Sequence, residues 1–364
     1  MKKLVCLLLI LGFYATSATA QKFNISFDYS NAELIMAALK STHPLNEKLE
    51  TEIRTNEDVK TVINKFKRSW PAINMDTLVK DINTLNKGEK ITREDYFRLA
   101  FVKKYINRND SLLNQIKTSA DRLKTELSNK LNPWMLNTKD ELTVKVHFIL
   151  LGASAGFAIN ANNFYIGLHW KEGDITGVRM TMHHELFHSL QYKYYNNSNQ
   201  LKEIEKFDER EQKLYAYFTS LYKEGTANYI ADVNNYSSTY TKQHFIKQQQ
   251  GLNVMADSFL LFETIVYRFY NDPSFKNMNL IYNIGLGWDW NNPGYHMGYR
   301  MSQLIEKHKG TERLKDLLGK DPLYFLRDYL AIMRSNKSDS SIVKLSDSTV
   351  EIIEKMITKL NLQD

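Results

Sequence analysis

Two histidines four residues apart, with a glutamate directly after the first, form the most chemically distinctive pattern in the chain: residues 184–188 are HELFH. On a helix, side chains four residues apart lie on one face, so His184 and His188 could bind one zinc ion through their ring nitrogens. Glu185 would then lie beside the metal, where its carboxylate can take a proton from a zinc-activated water and pass it to a leaving amine. The pattern therefore indicates metal-assisted hydrolysis of an amide bond.

The sequence around this motif favours a helix, because residues 178–192 contain neither proline nor glycine. Met182, Leu186 and Leu190 recur every four residues and predict an apolar stripe that buries one side of the helix. The alternative interpretation is a core helix whose histidines bind no metal.

A third ligand is needed, and the extended HExxHxxGxxH pattern does not supply it, because Gln191 and Tyr194 stand where that pattern has glycine and histidine. Glu224 is the first choice, since small residues follow it in EGTANYIAD and would let its helix approach the histidine helix closely. Asn228 and Asp232 lie one and two turns beyond it and are predicted to accept hydrogen bonds from the ligating histidines.

Other glutamates precede this segment in a stretch of alternating charge, which is typical of a solvated surface. They are Glu203, Glu205, Glu209 and Glu211. Of these, Glu209 is the alternative third ligand.

A tetrahedral intermediate of amide hydrolysis needs a hydrogen-bond donor for its oxyanion. Residues 288–299, WDWNNPGYHMGY, are rich in such donors. Tyr295 is the first candidate and His296 the second. The alternative is that these aromatic residues pack in the interior, as many of the 21 tyrosines must.

The elements before the motif are predicted to be strands. Apolar residues alternate with polar ones from Leu142 to Leu150, which predicts a strand with one buried face, and residues 164–168 form a second candidate. Between them, residues 152–159 are rich in small side chains. This segment is either an edge strand that could hold a peptide backbone or a plain hairpin.

Helical periodicity dominates the rest of the chain, both in residues 21–140 and after Asp174. We therefore predict a helix-dominant α+β protein in which a small sheet precedes the HExxH helix and a glutamate helix. Residues 21–140 are interpreted as an N-terminal helical region, and residues 141–364 as the catalytic domain with a helical C-terminal subdomain.

Residues 1–20 have the three parts of a secretory signal peptide: a basic start, an apolar run over residues 4–14, and small residues before Gln21. The run is too short to cross a bilayer. Cys6, the only cysteine, lies within it, so the mature chain has no thiol and must bind metal through histidine and carboxylate. We expect an exported protein, periplasmic or extracellular, that does not insert stably into a membrane.

Composition excludes several other classes. The formal net charge of +7 arises from interleaved acids and bases with no basic stripe, which argues against nucleic-acid binding. The sequence contains no glycine-rich phosphate loop.

The HELFH motif and the downstream EGTA segment resemble the gluzincin zinc metallopeptidases. Within this group, residues 142–300 are most similar to exported bacterial proteins described as zinc-dependent peptidases of unknown function. The resemblance implies a zincin-like catalytic core that acts on a peptide or protein substrate. It also implies one zinc ion bound by His184, His188 and Glu224, with Glu185 as the catalytic base. The sequence departs from many gluzincins in a longer spacing to Glu224 and in Asn228, where aspartate is common.

Two other functions compete with a peptidase. One is a catalytically silent zincin-like module of the cell envelope that binds a partner. The other is a metal-free scaffold in which the HExxH pattern is a coincidence.

Overall fold

The structure is a computed structural model that describes residues 23–67, 70–137, 139–195, 204–272, 274, 277–287 and 291–362. The predicted signal peptide, residues 1–20, lies outside the described residues. So do Glu203 and residues 288–290 of the aromatic segment.

Four described strands form one sheet in the order β1-β2-β4-β3. Their bounds are Phe23–Asp28 (β1), Leu142–Ile149 (β2), Gly156–Asn160 (β3) and Asn163–Gly167 (β4). Strands β1, β2 and β4 run parallel, whereas β3 is an edge strand that runs antiparallel to β4. The two predicted strands at residues 142–150 and 164–168 are confirmed, and the small-residue segment between them contains β3.

Strand β1 was missed by the sequence analysis, which interpreted residues 21–140 as mostly helical. Phe23, Ile25 and Phe27 alternate with polar residues, so the local signal is present but short. The pairing that completes the strand is distant in sequence, because Phe23 lies opposite Leu142 of β2.

Helices make up most of the remaining structure, which confirms a helix-dominant α+β fold. Before the sheet strands β2–β4 they are α1 (Ser30–Lys40), α2 (Glu47–Thr55), α3 (Glu57–Lys67), α4 (Met75–Asn86), α5 (Leu99–Lys104), α6 (Ile106–Thr118) and α7 (Ala120–Leu131). After them come α8 (Ile175–Tyr195), α9 (Glu209–Ile230), α10 (Thr239–Asn253), α11 (Met255–Asn271), α12 (Met278–Leu286), α13 (Pro293–Lys309), α14 (Thr311–Asp316), α15 (Leu323–Ser335) and α16 (Asp347–Lys359). Of these helices, none has both the length and the apolar character needed to cross a membrane.

Helices cover both faces of the sheet. Successive strand residues point to opposite faces. Gly156 of β3 pairs with Ile166 of β4, and the Glu185 side chain of α8 lies against Gly156. The next residue back along β4, Tyr165, donates its hydroxyl to Asp58 of α3. Helix α8 therefore packs on one face and α3 on the other.

The buried apolar residues form two clusters. The first extends from Phe23 to Leu190 and includes the sheet, the N-terminal helices and α8, together with Ala227 and Leu318. The second begins at Phe207 and contains the helices from α9 onward. The first cluster runs across residue 140, so apolar packing does not separate the chain there, and the domain boundary proposed at that position stays a prediction.

Helices α9 and α13 touch each other directly through two glycines. A Cβ atom on Gly225 would lie 2.2 Å from the Cα of Gly298, and one on Gly298 would lie 2.3 Å from the carbonyl oxygen of Leu221. No side chain fits in this contact, because both obstacles are backbone atoms.

Replacing Gly225 by alanine should therefore force the two helices apart. We expect Gly225→Ala to lower the free energy of unfolding by about 1–3 kcal/mol, as overpacking of an interior typically does. Urea denaturation measures the effect. Gly319→Ala is the matched control, because its Cβ would meet only the flexible end of Leu136. Equal stabilities of the two variants would contradict the prediction.

His169 connects the turn that follows β4 to the loop that follows β2 through a hydrogen bond. Its Nε2 lies 2.9 Å from the carbonyl oxygen of Gly152, and the residue is almost completely buried. Burial lowers the pKa of His169 to about 4, and the nearby charges of Lys171 and Arg98 act in the same direction.

This lowered pKa predicts a loss of stability in acid. The unfolded chain takes up a proton on His169 near pH 6.5, but the folded chain does so only near pH 4. The stabilisation is thus complete above about pH 6.5 and is lost as the pH falls towards 4. In His169→Gln, which keeps a donor for Gly152, the free energy of unfolding should fall less steeply over this interval. His43→Gln, at an exposed histidine, is the control and should retain the wild-type slope.

Candidate metal centre

Helix α8 presents the HELFH motif with one side buried and the two histidines on the other. Asp174 begins the helix by accepting hydrogen bonds from the backbone of Thr176 and Gly177 at 2.7 and 3.1 Å. The predicted apolar stripe is confirmed, because Met182, Leu186 and Leu190 are fully buried.

Glu224 of α9 meets both histidines of α8. Its Oε2 lies 3.3 Å from His184 Nε2 and 3.4 Å from His188 Nε2. The two Nε2 atoms are 3.1 Å apart. The three residues that the sequence selected as metal ligands thus place one donor atom each at the corners of a small triangle.

The size of this triangle fits a tetrahedral zinc site. With bonds of about 2.0–2.1 Å, two ligands of tetrahedral zinc lie about 3.3–3.4 Å apart. The observed edges of 3.1, 3.3 and 3.4 Å are close to that value. Two imidazoles and one carboxylate are also a common set of protein ligands for catalytic zinc, in which the fourth position stays open. The residues present therefore fit the metal.

The charges at this centre are strongly coupled. Burial disfavours a proton on His188, but the charge and hydrogen bond of Glu224 outweigh it and raise the pKa of His188 to about 9. Burial likewise favours protonated Glu224, but the two histidines hold the pKa of that carboxyl well below its ordinary value. The Glu224 carboxylate is therefore ionised. A positive charge between it and the two imidazoles would offset its negative charge.

Glu185 lies beside the triangle and outside it. Its side chain is buried, and the residue is 8% exposed. A Cβ atom on Gly156 would lie 2.9 Å from Glu185 Oε1, so the carboxylate lies directly against the first residue of edge strand β3. The role of Glu185 as the catalytic base stays a prediction.

Gln191 connects the two ligand-bearing helices. Its Oε1 lies 2.7 Å from His188 Nδ1 and accepts the ring N–H when Nε2 faces the metal. Its Nε2 donates to the hydroxyl of Thr226 at 2.7 Å and to the carbonyl of Lys223 at 3.1 Å, both on α9. One amide therefore orients His188 and holds α8 against the Glu224 turn.

The sequence analysis missed this role of Gln191. It used the residue only to exclude the motif that has glycine at this position. The available signal was its spacing, since residue 191 lies one turn after His188 on the same side of the helix.

The structure places Asn228 and Asp232 differently from each other. Asn228 lies on α9 one turn after Glu224 and is partly buried. Asp232 is not on this helix, because α9 ends at Ile230. Its carboxylate instead accepts the hydroxyl of Tyr299 at 2.7 Å and the backbone N–H of Asn234 at 2.9 Å. The expected position of Asp232 two turns along the helix is therefore not observed.

The alternative third ligand, Glu209, does not reach the triangle. It lies at the beginning of α9, where it is exposed and pairs with Lys213 at 2.6 Å. Fifteen helical residues separate it from Glu224, which corresponds to about 22 Å along the axis. Glu211 also has another role, since it completes the capping box of α9 and pairs with Lys359.

Tyr295 and His296 both lie in the first turn of α13. Tyr295 packs against the second apolar cluster. His296 is buried, and its Nε2 has no hydrogen-bond partner among the described residues. Its ring contacts α10, where a Cβ on Gly251 would lie 2.0 Å from His296 Cδ2. The role of either residue as an oxyanion donor stays a prediction.

Removing the Gln191 amide should weaken metal binding. We expect Gln191→Ala to lower zinc affinity about 10–100-fold, the usual cost of losing a hydrogen-bond acceptor behind a histidine ligand. Competition with a zinc chelator measures the affinity. Gln243→Ala, at an exposed glutamine of α10, should bind zinc as the wild type does. Unchanged affinity in Gln191→Ala would show that His188 needs no such support.

Comparison with known proteins agrees with this geometry. A family model described as "Putative zinc dependent peptidase (DUF5700)" matches residues 50–338. The matched segment includes the HELFH motif and Glu224, and it covers well over half of the chain. No curated protein and no solved structure matches. The chain belongs to this family, DUF5700.

Proposed function

We propose that this protein is an exported zinc metallopeptidase of the gluzincin type, with a zincin-like catalytic core. One zinc ion would be held by His184, His188 and Glu224, and Glu185 would serve as the general base. The observation that carries the proposal is the triangle of donor atoms on α8 and α9, with edges of 3.1–3.4 Å. The family to which the chain belongs supports the same chemistry.

Zinc, when bound, supplies Lewis acidity that polarises the substrate carbonyl and acidifies a water molecule. Glu185 accepts the proton of the attacking water and returns it to the amine that leaves. Burial against Gly156 keeps this carboxylate in one orientation, ready for both transfers. His188 is held by Gln191 with its Nε2 towards the centre.

Strand β3 is the proposed support for the substrate backbone. It is an edge strand, so its outer backbone groups can pair with an extended peptide. Gly156 begins the strand directly at the Glu185 carboxylate. A peptide added to this edge would place a backbone carbonyl near the base and the metal ligands.

The oxyanion donor would come from α13, and the protein would be exported. Tyr295 is the first candidate donor and His296 the second, and both lie on α13, which touches α9 one residue after Glu224. The leader-like sequence of residues 1–20 supports export to the periplasm or beyond.

The decisive variant is Glu185→Gln, which removes the base and keeps the shape of the side chain. We expect it to retain zinc, measured by elemental mass spectrometry, and to hydrolyse a peptide library at least about 10²-fold more slowly than the wild type. The base acts on the reacting water, whereas His184, His188 and Glu224 hold the metal.

Gln243→Ala serves again as the control and should keep both zinc and activity. Hydrolysis by Glu185→Gln at the wild-type rate would contradict the mechanism. Zinc binding without hydrolysis of any peptide by the wild type would instead favour the silent zincin-like binding module.

A further inference from the structure

The structure contains a second group of potential metal ligands, on the face of the sheet opposite to α8. Asp28 ends β1, His147 lies beside it on β2, and Asp58 projects from α3. Their donor atoms, His147 Nδ1 and one oxygen of each carboxylate, all lie within 4.8 Å of one another. The proposed catalytic centre does not involve any of these residues.

The tautomer of neutral His147 follows from a chain of hydrogen bonds. The backbone N–H of Asn162 can only donate, and it bonds Asn160 Oδ1 at 2.9 Å. That oxygen also accepts from Asn163 Nδ2 at 3.2 Å, which fixes the orientation of the Asn163 amide. Asn163 Oδ1 therefore faces His147 Nε2, at 3.2 Å, and must accept its proton. Neutral His147 then carries a lone pair on Nδ1.

This Nδ1 atom is buried and has no hydrogen-bond partner among the described residues. The His147 side chain is 7% exposed. Asp58 Oδ1 lies 2.9 Å away, a close polar contact that is not a hydrogen bond. Asp28 Oδ2 lies 3.9 Å from the same nitrogen. Two carboxylate oxygens thus lie near the same ring nitrogen, as the ligands of one ion would.

The charged groups around His147 would favour the binding of a cation. Asp58 is nearly buried, with a side chain 8% exposed, and its Oδ1 accepts the hydroxyl of Tyr165 at 3.1 Å. Lys145 pairs with Asp28 Oδ2 at 2.9 Å, but this side chain is 49% exposed, so its ammonium can share the carboxylate or move into solvent. Two carboxylates and one ammonium carry a net negative charge, which a cation bound to the imidazole would offset.

We propose that Asp28, Asp58 and His147 bind a second divalent transition-metal ion. One imidazole nitrogen and two carboxylate oxygens suit Zn²⁺ or Mn²⁺, with water completing the coordination on the partly exposed Asp28 side. His147 would have its other ring nitrogen held by Asn163, as metal-bound histidines usually do. The ion would join β1 and α3, both from the N-terminal region, to the central strand β2.

Metal content of the full mature chain tests this site, with zinc and with manganese added separately before dialysis. We expect a second equivalent of metal in the wild type that is absent from Asp58→Asn, in which the side chain keeps its shape and can still accept the Tyr165 hydroxyl. His147→Gln is an independent ligand variant. Tyr165→Phe is the matched control, because Tyr165 touches Asp58 without being a ligand, and it should keep both equivalents.

The result does not depend on the peptidase proposal, because the two centres are removed by different variants. His188→Ala should lose metal from the first centre and keep the ion that depends on Asp58. If either ligand variant fails to fold, the wild-type stoichiometry and the other variant decide. A wild type that holds no metal beyond the first centre would overturn the second site, as would a second equivalent that persists in Asp58→Asn.

Discussion

The convergence of two helices from different apolar clusters is the constraint on which the candidate centre depends. Helix α8 packs with the sheet in the first cluster, and α9 belongs to the second. A metal triangle with edges of 3.1–3.4 Å tolerates little error in their relative position. One of the following contacts joins the two helices directly, and the other positions α9 within its own cluster. The Gln191 amide bonds the Glu224 turn, and the glycine contact between α9 and α13 sets where α9 lies.

The carboxylate charges near the two faces of the sheet are compensated in different ways. At the Glu224 centre, a partly buried carboxylate lies against two imidazoles, where a proton or a metal ion can offset its charge. On the opposite face, Lys145 and Tyr165 already offset part of the charge of Asp28 and Asp58. This difference in compensation is consistent with a tight ion at the first centre and a weaker one at the second.

Local patterns were enough to predict the parts of the site that helical spacing determines. His184, His188 and the buried stripe follow from positions four residues apart, and Glu224 follows from the small residues beside it. Asp232 departs from its expected position because the helix ends two residues earlier, and a helix end is poorly determined by sequence alone. Features that depend on distant partners were missed, such as β1, which forms only with β2.

The hydrogen bonds of Gln191 and His147 could not be predicted from the sequence either. Each is defined by hydrogen bonds to residues on other elements: Gln191 to Thr226 on α9, and His147 to Asn163 on β4. In the sequence, Gln191 served only to exclude the extended motif that has glycine at this position. Side-chain amides and histidines bond in many orientations, so their partners become evident only when the elements are in place.

The parallel pairing of β1 with β2 has a consequence for the order of folding. Phe23 lies opposite Leu142, and all the helices from α1 to α7 lie between these residues in the chain. Bringing the two strands together closes a long loop, which costs entropy before any sheet contact is gained. The helices between them can form from local contacts first. Strand β1 should therefore join the sheet late, whereas the strands on which α8 packs, chiefly β3 and β4, are close in sequence and can pair before it.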